Sequence, residues 1–227
     1  MRILTTIAAL ALSLCATAVQ AGGVGLGATR MVWLSSGSQS VLNVRNTDAH
    51  SPFLIQSWIE NAGGQRSSDF VVTPPLFVLK PNSENSVRVM FSGPQLPDDR
   101  ETLYWMVVKA IPQSASQPQN NTLQFASANR IKLFYRPASL ARGASNAWQE
   151  ITGERRAGKI TLINPTAYYL TLTNLKVDGR AVKPVMIPPK DRVTLSETFP
   201  AASKFSYSTI NDYGALTKES HKALTLQ

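Results

Sequence analysis

The sequence predicts an all-β protein of two immunoglobulin-like β-sandwich domains, and three observations predict it. Short runs rich in Val, Ile, Leu, Thr, Phe and Tyr alternate with Pro, Gly, Asn, Asp and Ser, the punctuation of strands and turns. After Ala21 no segment of helical length carries a 3.6-residue apolar period. The stretch from Gly22 to Gln227 suits two domains of about 100 residues, each with about seven strands at turn spacings of about 8–12 residues.

The elements follow in chain order. Arg2 and the uncharged, mostly apolar Ile3–Val19 run have the layout of a secretory signal peptide. Val19-Gln20-Ala21 supplies the cleavage site, so residues 1–21 are expected to be removed. The Gly22–Gly27 stretch is rich in glycine, precedes no helix and reads as a flexible N-terminal arm. Strands are expected over Thr29–Leu34, Ser40–Arg45, Phe53–Glu60, Phe70–Thr73, Leu76–Leu79, Ser86–Met90, Thr102–Ile111 and Thr122–Tyr135. Ser40–Arg45 and Ser86–Met90 alternate apolar and polar residues, which places one face in a core and one in solvent. Pro137 ends the first set because proline cannot donate to a ladder. The first domain is therefore expected over 22–137, a short linker over 138–143 and a second domain over 144–227. Strands of that second domain are expected over Gly158–Asn164, Leu170–Val177, Val182–Val185, Arg192–Leu195 and Lys204–Ile210. Residues 112–121 (PQSASQPQNN) read as a polar loop between two long strands.

Composition excludes several classes of function. The one cysteine, Cys15, lies in the leader, so the mature chain has no disulfide, thiol nucleophile or thiolate metal site. Stability must then come from full-sized cores. The net charge of +9 is spread evenly: residues 22–142 and 143–227 each hold 11 basic and 7 acidic residues. Nucleic-acid binders cluster their charge, so no nucleic-acid partner is expected. Past the leader no apolar run is long enough for membrane insertion. His50 and His221 are far apart in polar contexts, and no HExxH, GxSxG or phosphate-cradling glycine loop appears. Neither an enzyme nor a cofactor is expected.

The segment from Leu123 to Pro137 is long for a strand of a small domain. Leu123, Phe125 and Ser127 share one face; Gln124, Ala126 and Ala128 share the other. The first face either packs inward or is offered to another chain, since an edge strand can satisfy a partner's backbone groups.

Within it, Ile131-Lys132-Leu133-Phe134-Tyr135-Arg136-Pro137 closely resembles the end of the long strand in periplasmic pilus-assembly chaperones. Leu96–Trp105 (LPDDRETLYW), running on to Ile111-Pro112, resembles that family's other signature. So do Trp58–Asn61 (WIEN), Thr73-Pro74-Pro75 and Ile210–Gly214 (INDYG). The five lie in family order and span almost the whole chain after the leader. The short connection from Trp105 to Leu123 and the missing cysteines resemble the family's short-loop branch.

The resemblance implies two immunoglobulin-like domains in an L shape around a cleft. It implies a periplasmic chaperone that binds pilus or fimbrial subunits by donor-strand complementation and passes them to an outer-membrane usher. The alternative carried beside it is an exported immunoglobulin-like adhesin or pilus subunit. By the same resemblance Arg30 and Lys132 anchor the subunit's C-terminal carboxylate, a task suited to a bidentate guanidinium and an ammonium. Leu123, Phe125 and Ser127 form the donor strand, and Glu101, Arg136 and Asp212 an interdomain ion network. Two departures stand out. Val107 sits where relatives often carry Asn or Cys, and Ser127 where many carry a bulky aliphatic. Strict alternation puts Lys132 on the face opposite Leu123, so a bulge or twist is expected between them.

Overall fold

The computed structural model describes residues 22–113 and 125–226; the expected leader, the start of the donor segment and Leu123 lie outside them. The first domain holds β1 (Val24–Leu26), β2 (Arg30–Leu34), β3 (Ser40–Asn46), β4 (Phe53–Asn61), β5 (Phe70–Thr73), β6 (Leu76–Leu79), β7 (Ser83–Phe91), β8 (Thr102–Pro112) and β9 (Ser127–Arg136). Two sheets form, ordered β1-β3-β7-β5 and β2-β9-β8-β4-β6. Alternating residues such as Leu42 and Val44, Ile55 and Ile59, and Val87 and Val89 meet between them in one core. Trp33, Phe70, Phe91, Tyr104 and Tyr135 close one end of that core as a cluster of rings.

After two short 3-10 turns, Ala138–Leu140 and Ala147–Glu150, come β10 (Thr152–Arg156), β11 (Lys159–Asn164), β12 (Leu170–Val177), β13 (Arg180–Ala181), β14 (Val185–Ile187), β15 (Asp191–Thr198), β16 (Lys204–Thr209), β17 (Ser220–Ala223) and β18 (Thr225–Leu226). They build sheets β15-β11-β10-β18 and β13-β12-β16-β17, with β14 also on β12. A separate core gathers Ile160, Leu162, Leu172, Ile187, Phe205 and Tyr207.

Three expectations are corrected. The glycine-rich start is no arm: Val24–Leu26 pairs with Val44–Asn46, and Val24 and Leu26 pack on the first core. Glycine serves a close approach there, since a Cβ on Gly27 would come within 3.1 Å of Asn43 Cβ. Of the expected strand Val182–Val185 only Val185 lies in a strand, β14; Val182-Lys183-Pro184 form the gap after β13, where proline has no N–H to give. No bulge separates Lys132 from Ser127, because the β8–β9 ladder runs without a register shift from Thr102↔Tyr135 to Ala110↔Ser127. Alternation alone puts Lys132 and Ser127 on opposite faces.

β10 has no apolar side chain, yet it lies inside a sheet. Gly153 explains it: a Cβ there would be 2.7 Å from Phe205 Cε1 and 2.8 Å from Leu224 Cδ2, so neighbours fill the space. Gly153→Val should overpack this layer and lower stability by about 1–3 kcal/mol, read as a shift in urea midpoint at unchanged slope.

Candidate functional site

The site is built where β9 meets the second domain. β2 and β9 run parallel, with Arg30 opposite Lys132 and Leu34 opposite Arg136. β2 extends no further back, because the chain crosses to the other sheet, where Gly27 N–H donates to Asn43 O at 2.8 Å. Two consequences follow. Arg30 and Lys132 become lateral neighbours on one sheet face. The first half of β9, Ser127 to Ile131, is paired to β8 on one side and, among the described residues, to no strand on the other.

Along β9 the odd positions face the core: Leu133 is fully buried, with Ile131 and Tyr135 packed beside it. Ser127 has the same parity but is exposed, and Phe125, just before the strand, is 76% exposed. The core-facing stripe therefore runs out past the sandwich that would cover it. The even positions, Arg130, Lys132, Phe134 and Arg136, face the other way, toward the second domain.

Arg136 is the hub of that interface. Its Nε donates to Glu101 Oε1 at 2.7 Å, and its two Nη atoms donate to Asp212 Oδ2 and Oδ1 at 2.7 and 2.8 Å. Glu101, 2% exposed, also accepts Tyr169 N–H at 2.8 Å, while its own N–H donates to Ala167 O at 2.9 Å. Burial works against the Arg136 charge, but the two carboxylates win and raise its pKa further. Local geometry prepares both partners in the second domain. Asn164 pins the 164–169 loop through bonds to the carbonyls of Tyr168, Ile187 and Pro188. Asn211 Oδ1 accepts the N–H groups of Tyr213 and Ala215, so Asp212 sits in a fixed turn. Gly214, with φ +83°, closes this turn against Thr29, where a Cβ would meet Oγ1. Phe134 stacks on Tyr169 at 5.6 Å, and the exposed Lys190–Asp99 pair, at 2.6 Å, adds a tie between the domains.

Arg30 and Lys132 are different. Arg30 is 7% exposed, its Nη1 donates to Ile210 O at 2.8 Å, and its Nε is buried without a partner. Lys132 Nζ donates to Thr171 Oγ1 at 2.8 Å. Among the described residues neither cation has a carboxylate within 4.0 Å. Burial, with Arg30 adding to it, pushes the Lys132 ammonium down to about 8. Burial also lowers Arg30, against the pull of Asp212 and Glu101. Two partly buried cations side by side with a spare donor form a site that calls for an anion.

The predicted residues thus fall into three groups. Glu101, Arg136 and Asp212 are joined in one network; Arg30 and Lys132 are joined by register; Phe125 and Ser127 are exposed on the free edge, with Leu123 outside the described residues. Val107 is buried between its cross-strand partners Trp58 and Arg130. Arg130 lies 3.9 Å over the Trp105 ring and pairs with Glu60 at 2.9 Å, so an aliphatic side chain suits position 107. Sequence reasoning missed Thr171, Tyr169 N–H and Ile210 O; neutral and backbone groups leave no charge signature to find. His50 and His221 are exposed, and among the described residues no group of His, Cys, Asp and Glu could hold a metal. None of the described helices is long and apolar enough to cross a membrane.

Fold and site together describe an all-β, two-domain protein in which, among the described residues, a strand edge open on one side lies beside a cation pair that has no carboxylate partner. Residues 23–141 match the model for the PapD N-terminal domain of pili and flagellar-assembly chaperones, and residues 146–221 match the pili assembly chaperone PapD C-terminal domain. The chain belongs to the pilus-assembly chaperone family. It is 48% identical over 197 residues to the chaperone protein FimC of Escherichia coli K12, covering 86% of this chain and 82% of FimC. It is 44% identical over 201 residues to the probable fimbrial chaperone ElfD of the same strain, covering 87% and 85%. The crystal structure of the periplasmic chaperone SfaE superposes with a TM-score of 0.78 at 42% identity, over 89% of this chain and all of that one. Salmonella enterica SafB, solved in complex with the SafA pilin, superposes at 0.80 with 28% identity, over 91% and 99%.

Arg136→Ala should cost about 3–5 kcal/mol, because it strands the buried Glu101 carboxylate. Asp212→Asn should cost about 1 kcal/mol or less, because that side chain is 38% exposed. Urea unfolding of the two variants tests the contrast.

Proposed function

We propose that this chain is a periplasmic chaperone that binds pilus or fimbrial subunits by donor-strand complementation and delivers them to an outer-membrane usher. The carrying observation is the conjunction on β9 of a one-sided edge, an exposed Phe125 and, five residues past Ser127, a cation pair without a counterion. An incomplete client sandwich can pair its open edge with Ser127–Ile131 and cover Phe125 and Ser127, with Leu123 continuing the stripe. Its C-terminal carboxylate then reaches Arg30 and Lys132, so the client strand runs parallel to β9. The role is one of binding, not turnover. The leader over 1–21 would send the chain to the periplasm, with domains at 22–137 and 144–227 joined by 138–143. The Glu101–Arg136–Asp212 network is assigned the task of fixing the angle between them. The alternative, an adhesin or subunit, is not favoured, since each sandwich here is filled by its own strands.

Energetically, charge-assisted hydrogen bonds contribute about 1.5–3 kcal/mol each. Covering a Phe side chain contributes a similar about 1.5–3 kcal/mol. Phe125→Asp should therefore leave the free protein's melting temperature unchanged while abolishing co-purification of a subunit; an unfolded variant, or a folded one that still captures subunits, counts against the assignment.

The Lys132 ammonium gives a pH test. Because its folded value of about 8 lies below that of a free lysine, the folded state sheds its proton first as pH rises. Carboxylate capture needs the charged form, so affinity should be full at about pH 7 and fall by up to about tenfold per unit above about pH 8. Linkage gives the free protein the opposite trend, a gain in stability from this group as pH rises toward the unfolded value. Lys132→Arg should remove the alkaline fall in affinity measured by calorimetry, since arginine stays charged.

A further inference from the structure

We propose that Thr171 is a positioning residue for carboxylate capture: its hydroxyl, from the second domain, holds the Lys132 ammonium aimed into the cleft without neutralising it. The proposal rests on the reading of Arg30 and Lys132 as the carboxylate anchor.

The geometry is that of a shared device. The first domain supplies both cations from adjacent parallel strands. The second domain supplies both acceptors, Thr171 Oγ1 to Lys132 and Ile210 O to Arg30, each at 2.8 Å. The two acceptors are themselves linked, since Ile210 N–H donates to Thr171 O at 3.3 Å. They form one ledge at the edge of the β12–β16 pair, facing the cation pair across the domain boundary.

The chemistry of the ledge is specific. An ammonium has three donors and no acceptor, so one bond to Thr171 leaves two for a carboxylate. Lysine carries its charge on a flexible four-carbon stem, and a fixed partner removes rotamer freedom before the ligand arrives. The groups around Lys132 leave this task to the hydroxyl. Arg30 on β2 repels it, Trp105 opposite on β8 is an indole, and Arg130 on β9 is taken by Glu60 and Trp105. Glu101 and Asp212 are bound by Arg136. A carboxylate in place of Thr171 would fill the site permanently; a neutral acceptor orients the charge and leaves it available. Because donor and acceptor lie on different domains, the anchor is assembled only when the two are docked.

The test uses the mature chain and a synthetic peptide of a pilus subunit's C-terminal strand, prepared as free acid and as C-terminal amide. Calorimetry compares wild type with Thr171→Val, Thr171→Ser and Lys132→Met, each confirmed folded by thermal melt. Thr171→Val should weaken the acid peptide about tenfold and leave the amide unchanged, the loss of one charge-assisted bond. Thr171→Ser should restore it. The alkaline fall in acid-peptide affinity should begin at lower pH in Thr171→Val, because the hydroxyl no longer favours the ammonium. Equal loss for acid and amide would mean a merely structural effect and overturn the proposal. Wild-type acid binding by Thr171→Val, with Lys132→Met losing the acid–amide difference, would overturn it while leaving the anchor standing. A wild-type protein that binds both peptides equally would overturn the anchor and the proposal together.

Discussion

Arg136 makes the end of one strand into the joint between two sandwiches. Each nitrogen of its guanidinium donates to a carboxylate, Nε to Glu101 of its own domain and the two Nη atoms to Asp212 of the other. Burying the Arg136 and Glu101 charges is costly, and the arrangement holds because Asp212 adds a bidentate pairing and Glu101 gains a further backbone donor from Tyr169. The remainder of the cleft follows from this. Lys132 lies two pleat repeats away from Arg136 on the same face of the same strand, with Phe134 between them stacked on Tyr169. Once Arg136 is fixed against Asp212, Lys132 can reach only a short arc of the second domain, and Thr171 lies on it.

β9 divides at Lys132 into two halves with different physics. From Lys132 to Arg136 it is flanked by β2 and β8, and its backbone groups are satisfied within the chain. From Ser127 to Ile131 it is flanked, among the described residues, by β8 alone, which leaves a row of backbone donors and acceptors along its other edge. Such an edge is an aggregation hazard unless something covers or blunts it. Here Arg130 projects from it on one face, tied down over Trp105 and to Glu60. The opposite face turns polar at Asn129 and Ser127 and then carries the exposed ring of Phe125. Charge on one face and an uncovered ring on the other give the edge a polarity that a partner strand can read.

Apolar and β-branched runs bounded by turn residues were legible in the sequence, short ones such as Phe70–Thr73 and Leu76–Leu79 as well as the alternating Leu170–Val177, and all three are strands over those same residues. What escaped was carried by residues whose contribution is an absence. β1 looked like an arm because Gly23, Gly25 and Gly27 break the apolar pattern, although Gly27 is required by its approach to Asn43. β10 was invisible because its one inward position is Gly153, whose space Phe205 and Leu224 occupy from other strands. The ion network is geometrically explicit, yet its members lie far apart in sequence, and only likeness to known chaperones brought them together on the page. The ledge at Thr171 and Ile210 had no signal at all. A threonine in an alternating strand and a backbone carbonyl are ordinary until a lysine from another domain points at them.

The contrast between the two charged clusters, less than one strand apart, carries the mechanism. Around Arg136 each nitrogen of the guanidinium meets a carboxylate oxygen, and that cluster is closed. Around Arg30 and Lys132 the protein offers only neutral acceptors, one for each cation, and leaves Arg30 Nε with none. Holding two like charges partly out of water without a counterion destabilises the free protein, as the lowered Lys132 value registers. A chain selected for stability alone would place an aspartate there. In the proposed reading, the free energy withheld from folding becomes available when a subunit's carboxylate reaches the two cations. The neighbouring cluster joins the two domains through Arg136 and Asp212, and under the same proposal it would hold the frame into which the carboxylate is received.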